Sequence, residues 1–123
     1  MNEQFITYHD NDNNINILNI KYIVACYNDN KNTILTSKKL VNDNVNIIIK
    51  ETPEKLYGKI LKLNNNDFIK LHFQNNKVII INKKIITYCI KKNDKTKISI
   101  EHEKIAAFYV IEPVEKIIEL INK

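Results

Sequence analysis

Apolar residues come in short β-branched runs broken by asparagine-rich clusters, a pattern that favours strands over helices. Phe5–His9 alternates as one strand, with Phe5, Thr7 and His9 on one side and Ile6 and Tyr8 on the other. The polar cluster Asp10–Asn14 predicts a turn. The long run Ile15–Tyr27 predicts two strands or one bent strand. Asn28–Asn32 predicts a second turn, and Thr33–Thr36 and Val45–Lys50 two more strands. The period then changes. Thr52 is placed to cap a helix, Pro53 stands at its first position and Glu54 in its first turn, and Leu56, Tyr57, Ile60, Leu61 and Leu63 share one face.

The same succession follows a second time. Phe68–Phe73, a turn at Gln74–Lys77, Val78–Ile90, a turn at Lys91–Lys95, Thr96–Glu101 and Ile105–Ile111 lead into a helix in which Pro113 matches Pro53. Val114, Ile117, Ile118 and Ile121 then fall at i, i+3, i+4 and i+7. Displacing the chain by 63 residues aligns Phe5-Ile6 with Phe68-Ile69, His9 with His72, Cys26 with Cys89 and Thr33 with Thr96. Asn13, Ile17, Asn19, Lys21, Ile23 and Asn30 also meet identical partners. Matches of Ile, Asn and Lys are common by chance here, because those residues form about half the chain; matches of Phe, His, Cys and Thr are not. The expectation is an α+β, mostly β fold. Two tandem β-β-β-β-α repeats, 1–63 and 64–123, pack with pseudo-twofold symmetry as one compact unit, with Asn64-Asn65-Asn66 as linker. Cys26 is then expected to superpose on Cys89 and His9 on His72, without a disulfide between the thiols.

Several segments carry a resemblance. They are Phe5-Ile6, Leu18-Asn19 with Ile23, Thr33-Ile34-Leu35 and Ile49-Lys50-Glu51-Thr52-Pro53-Glu54, and in the second repeat Phe68-Ile69, Ile81-Asn82 with Ile86, and Thr96-Lys97-Ile98. The unit resembles the FlbD-like family of small flagellar-operon proteins and similar short proteins of Bacteroidetes and their phages. The second repeat departs from it at Ile111-Glu112-Pro113-Val114-Glu115, and neither repeat has the family's turn glycines. The resemblance implies a small β-rich accessory protein and supplies no active site.

Composition narrows the function classes. The 123 residues hold a single glycine and no arginine, and the over-use of residues with AT-rich codons points to an AT-rich genome. The net charge is +5, and it is uneven: residues 1–63 have eight Lys against seven acids, residues 64–123 eleven against seven. Without arginine, the usual fork for phosphate and guanine is missing. The opening Met1-Asn2-Glu3-Gln4 lacks a signal peptide's regions and no run is long enough to span a membrane, so virion or host cytoplasm is the expected location.

Candidate chemistry is thin. Asp10-Asn11-Asp12 begins like a calcium loop but has Ile15 where glycine and Lys21 where glutamate are needed. His9 and His72 are expected to be half-exposed structural histidines, His102 to lie in a solvated turn between Glu101 and Glu103, and Cys26 and Cys89 to be small buried hydrophobes. Ser37 and Ser99 have no nucleophile-elbow context, and one glycine cannot build a phosphate loop. The chain is therefore expected to be no enzyme and to use no metal or cofactor. Lys83, Lys84, Lys91 and Lys92 are the candidate nucleic-acid contacts. Phe108 and Val110, on a strand apolar on both faces, are the candidate protein contact, and Val78–Ile81, apolar on both faces as well, is expected to add surplus surface for a partner. The expected function is a structural or assembly protein of a phage virion; the alternative is a nucleic-acid-associated accessory protein.

Overall fold

The computed structural model describes residues 3–40, 43–100 and 107–123. Its strands are β1 (Phe5–His9), β2 (Ile15–Asn19), β3 (Ile23–Asn28), β4 (Thr33–Leu40) and β5 (Asp43–Ile49), followed by helix α1 (Pro53–Lys62). Then come β6 (Phe68–His72), β7 (Val78–Asn82), β8 (Ile86–Lys92), β9 (Lys95–Ile100), β10 (Ala107–Val110) and α2 (Val114–Ile121). The fold is α+β and mostly β. Among the described residues each unit has five strands rather than four, because the long apolar run is two strands joined by a single 3-10 turn, Ile20–Tyr22 or Lys83–Ile85. The break has a local cause: the side chains of Asn19 and Asn82 accept from the backbone N–H of Lys21 and Lys84 and cap the turn.

Further details recur at the offset of 63. The β3–β4 ladder bulges between Ile23 and Ala25, the β8–β9 ladder between Ile86 and Tyr88. The missing turn glycines are replaced by asparagines with positive φ, at Asn13 and Asn76 (φ 66 and 67) and at Asn30 and Asn93 (φ 104 and 58). After β9 the offset falls to 61. Thr52 caps α1 by accepting from Lys55 N–H, and its place before α2 is taken by Pro113, which makes no side-chain cap. Pro113 thus stands one residue before the helical position that Pro53 occupies. The expected turn residues Glu101, His102 and Glu103, with Ile105 and Ala106, lie outside the described residues.

A five-stranded sheet, ordered β5-β4-β3-β7-β6, forms the centre, and its middle ladder joins the two units: Ala25 faces Ile81, Cys26 faces Ile80 and Tyr27 faces Ile79. The middle strands of this sheet, β3 and β7, are covered on both faces, while Asn46 and Ile48 of β5 and Lys70 of β6 are exposed. Ile23, Cys26, Leu35 and Ile80 belong to a first core with Ile6, Tyr8, Leu56 and Ile60, under β1 and α1. Val24, Ala25, Ile79 and Ile81 belong to a second with Ile98, Val110 and Ile117, under β9, β10 and α2. The apolar run Val78–Ile81 is therefore interior on both faces rather than surplus surface.

Pseudo-twofold packing would require a reciprocal ladder between β2 and β8. Among the described residues it is not formed: β1-β2 is a separate sheet and β10-β9-β8 another. The reason is geometric. Leu18 of β2 packs in the first core and Cys89 of β8 against the second, so the two strands lie on opposite sides of the central sheet. In each unit the 3-10 turn carries the chain from one layer to the next, and the second unit repeats that step instead of returning.

Candidate interaction surface

The ladder between β3 and β7 sets a standard for the two strands that lack one. In β7, Ile80 is fully buried and Phe68 beside it on β6 nearly so, both in the first core with α1. The equivalent residues in the first unit are open: Ile17 is 68% exposed, Phe5 49%, and Ile15 (matching half-buried Val78) 71%. The β1–β2 register brings Phe5 opposite Asn19, Thr7 opposite Ile17 and His9 opposite Ile15, so these apolar side chains form one face of the hairpin. The other face, with Ile6, Tyr8 and Leu18, belongs to the first core.

The second surface is the edge of β8 beside α2. Tyr88 is 49% exposed where its counterpart Ala25 is fully buried. Ile90 and, on α2, Ile118 are exposed. Cys89 is half-buried, whereas its counterpart Cys26 has no exposed surface. Burial, together with Glu54 and Glu51, pushes the Cys26 thiol up to about 12, and burial also raises that of Cys89. Both thiols are free, and each is a poor nucleophile at neutral pH. A thiol reagent is therefore expected to modify Cys89 slowly in the native protein and Cys26 only on unfolding. Rapid titration of both in the native state would contradict this packing.

Phe108 and Val110 do not supply the open surface expected of them. Val110 is wholly buried in the second core. Phe108 packs edge-on against Tyr27 and lies beside Phe73, with centroids 5.6 and 6.5 Å away. The exposed apolar residues in that stretch are Tyr109 and Ile111. The lysines divide as well. Lys83 Nζ donates to the Ile121 carbonyl at 3.0 Å, near the end of α2, and Lys84 pairs with Asp67 at 3.3 Å. Lys91 and Lys92 are exposed at the far end of β8, about 20 Å along the strand.

The histidines have partners that the sequence does not announce. His9 Nδ1 lies 2.7 Å from Glu51 and His72 Nδ1 2.6 Å from Glu112, and each histidine's backbone N–H donates to the same carboxylate. Lys59 stands 3.5 Å from Glu51. Each pair ties the end of a unit's first strand to the entry of its helix, where Lys50 N–H meets the His9 carbonyl and Ile111 N–H the His72 carbonyl. Burial works to raise the Glu51 carboxyl. The His9 side chain and backbone N–H, with Lys59, outweigh it and hold the group at about 2. Among the described residues, no three metal-ligating side chains converge. Also among them, no helix is long and apolar enough to cross a membrane.

Comparison with protein-family models, curated proteins and solved structures gives no match. Ile15 and Ile17 were not expected as surface residues. The sequence contrast is that Ile-Asn-Ile in β2 alternates where Val-Ile-Ile-Ile in β7 is unbroken, which marks β2 as a strand with two unlike faces; alternation alone, however, places Ile15 and Ile17 inward, and the structure turns them outward while Asn16 and Leu18 are half-buried.

Proposed function

We propose that this chain is a non-enzymatic assembly protein, a component of a phage virion, that acts by protein–protein contact through the open edges of β2 and β8. The observation that carries the reading is the pair of strands with exposed apolar side chains whose counterparts are buried within the same molecule. Open, apolar edges are unusual in a protein that works alone, because they invite another chain's backbone. The AT-rich composition and the resemblance to FlbD-like phage and flagellar-operon proteins support the wider setting. Native mass spectrometry of the protein from its source is the test. A stoichiometric protein complex that survives high salt is expected. Retention on DNA that disappears with salt would favour the alternative, a nucleic-acid-associated protein using its lysines.

A further inference from the structure

Resting on that reading of the edges, we propose that the partner is a second copy of this chain, joined head to tail, with β2 of one molecule continuing the β10-β9-β8 sheet of the next. The junction already exists once inside the molecule. There β7 lies along β3, with Phe68 and Ile80 in a core that also holds Leu56 and Ile60 of α1. Putting β8 in the place of β3 and β2 in the place of β7 gives the outer register: Tyr88 opposite Leu18, Cys89 opposite Ile17, Ile90 opposite Asn16. Phe5 and Ile17 then enter a site beside α2, where Ile117 and Ile121 stand in the places of Leu56 and Ile60 and Ile118 is exposed next to them.

Three observations agree with this docking. The apolar residues exposed on the donor hairpin, Phe5, Ile15 and Ile17, are the ones whose equivalents the inner junction covers. Asn82 donates across the inner junction to the Ile23 carbonyl at 3.0 Å, and the same asparagine is present as Asn19, with Ile86 as the matching acceptor. Charge is complementary. The donor hairpin turns through Asp10 and Asp12, and the antiparallel register carries that turn to the Lys91-Lys92 end of β8.

The geometry also decides the kind of assembly. β2 and β8 lie on opposite sides of the central sheet, so one molecule cannot satisfy its own edges, and the contact is heterologous. Rings or filaments follow, not a closed dimer formed by one shared patch.

The test is sedimentation velocity of the intact chain over a concentration series. The wild type is expected to form a ladder of species beyond the dimer. Ile17→Lys blocks the donor face, and Tyr88→Lys with Ile118→Lys blocks the acceptor. All three positions are exposed, so circular dichroism should show the fold intact. Each variant alone should be monomeric; mixed, they should form a one-to-one dimer and nothing larger. Under oxidation, Ile17→Cys should yield an intermolecular disulfide to Cys89, absent when Cys89→Ala is added, because directly opposed strand residues lie within bridging distance. A monomer at every concentration, a dimer indifferent to Ile17→Lys, or no cross-link to Cys89 would overturn the proposal. If the chain proved monomeric but stayed in a salt-resistant complex that Ile17→Lys dissolves, self-assembly would fall and the contact reading would stand. If the variant left that complex intact, both would fall.

Discussion

Ile80→Ala is expected to lower the stability of the fold by about 3 kcal/mol, and Ile17→Ala by less than about 0.5 kcal/mol in the dilute monomer. The two isoleucines occupy equivalent places on equivalent hairpins, so intrinsic strand preference cancels between them. Surroundings make the difference. Ile80 is enclosed by β3, α1 and β6, and truncation there leaves a cavity that a two-sided sheet has little room to collapse. Ile17 faces water, and its truncation removes little that folding had buried. Urea denaturation at low protein concentration, far below any association, measures both. Similar costs for the two substitutions would mean that the central sheet does not have the order β5-β4-β3-β7-β6.

Acid should loosen the same fold from a different place. Glu51 is held at about 2, well below the ordinary 4.5, so the unfolded chain takes up a proton on this carboxyl at a pH where the folded one does not. Its contribution is therefore fully present above about pH 4.5 and is lost as pH falls toward about 2, amounting to at most about 3 kcal/mol. Glu51→Gln should remove most of that contribution at neutral pH and flatten this part of the stability profile between pH 5 and 2. Denaturant midpoints across that range provide the measurement. A variant as acid-sensitive as the wild type would show that the His9–Glu51 tie is incidental. Because Glu51 is nearly buried beside His9, its replacement by glutamine also removes one of the two oxygens that His9 engages, while Lys59 keeps its bond to the Thr7 carbonyl.

The strands and the repetition were legible because their signals are local: β-branched runs, turn clusters, and matched Phe, His, Cys and Thr at a constant offset. The half-exposed placing of His9 followed from simple alternation and agrees with the structure, where Phe5 and Thr7 on its side are exposed and Ile6 and Tyr8 are buried. The layer order was not legible. The run Val78–Ile81 is visibly apolar on both faces, but that pattern fits a partner contact as well as a core, and nothing in it says that β3 of the other unit lies beside it. The glutamate partners were hidden for another reason. Glu51 and Glu112 are 61 residues apart and His9 and His72 are 63 apart, so a fixed offset never shows the two pairs as equivalent. Phe108 and Val110 misled because a strand apolar on both faces is compatible with an interface and with a core, and only packing distinguishes them.

Each core draws side chains from both units: Phe68 and Ile80 complete the first, Val24 and Ala25 the second. Residue 63 thus marks a boundary in the sequence but not in cooperativity. The short link from Leu63 to Asp67 acts as a tether. It turns what would be a bimolecular encounter of β3 with β7 into an intramolecular one, at an effective concentration on the order of millimolar. Those strands are far apart along the chain, so their ladder closes late, after the hairpins that need little loop entropy. A ribosome that has released only the first half holds a molecule with a bare β3 edge, and synthesis of β6 and β7 is the step that covers it.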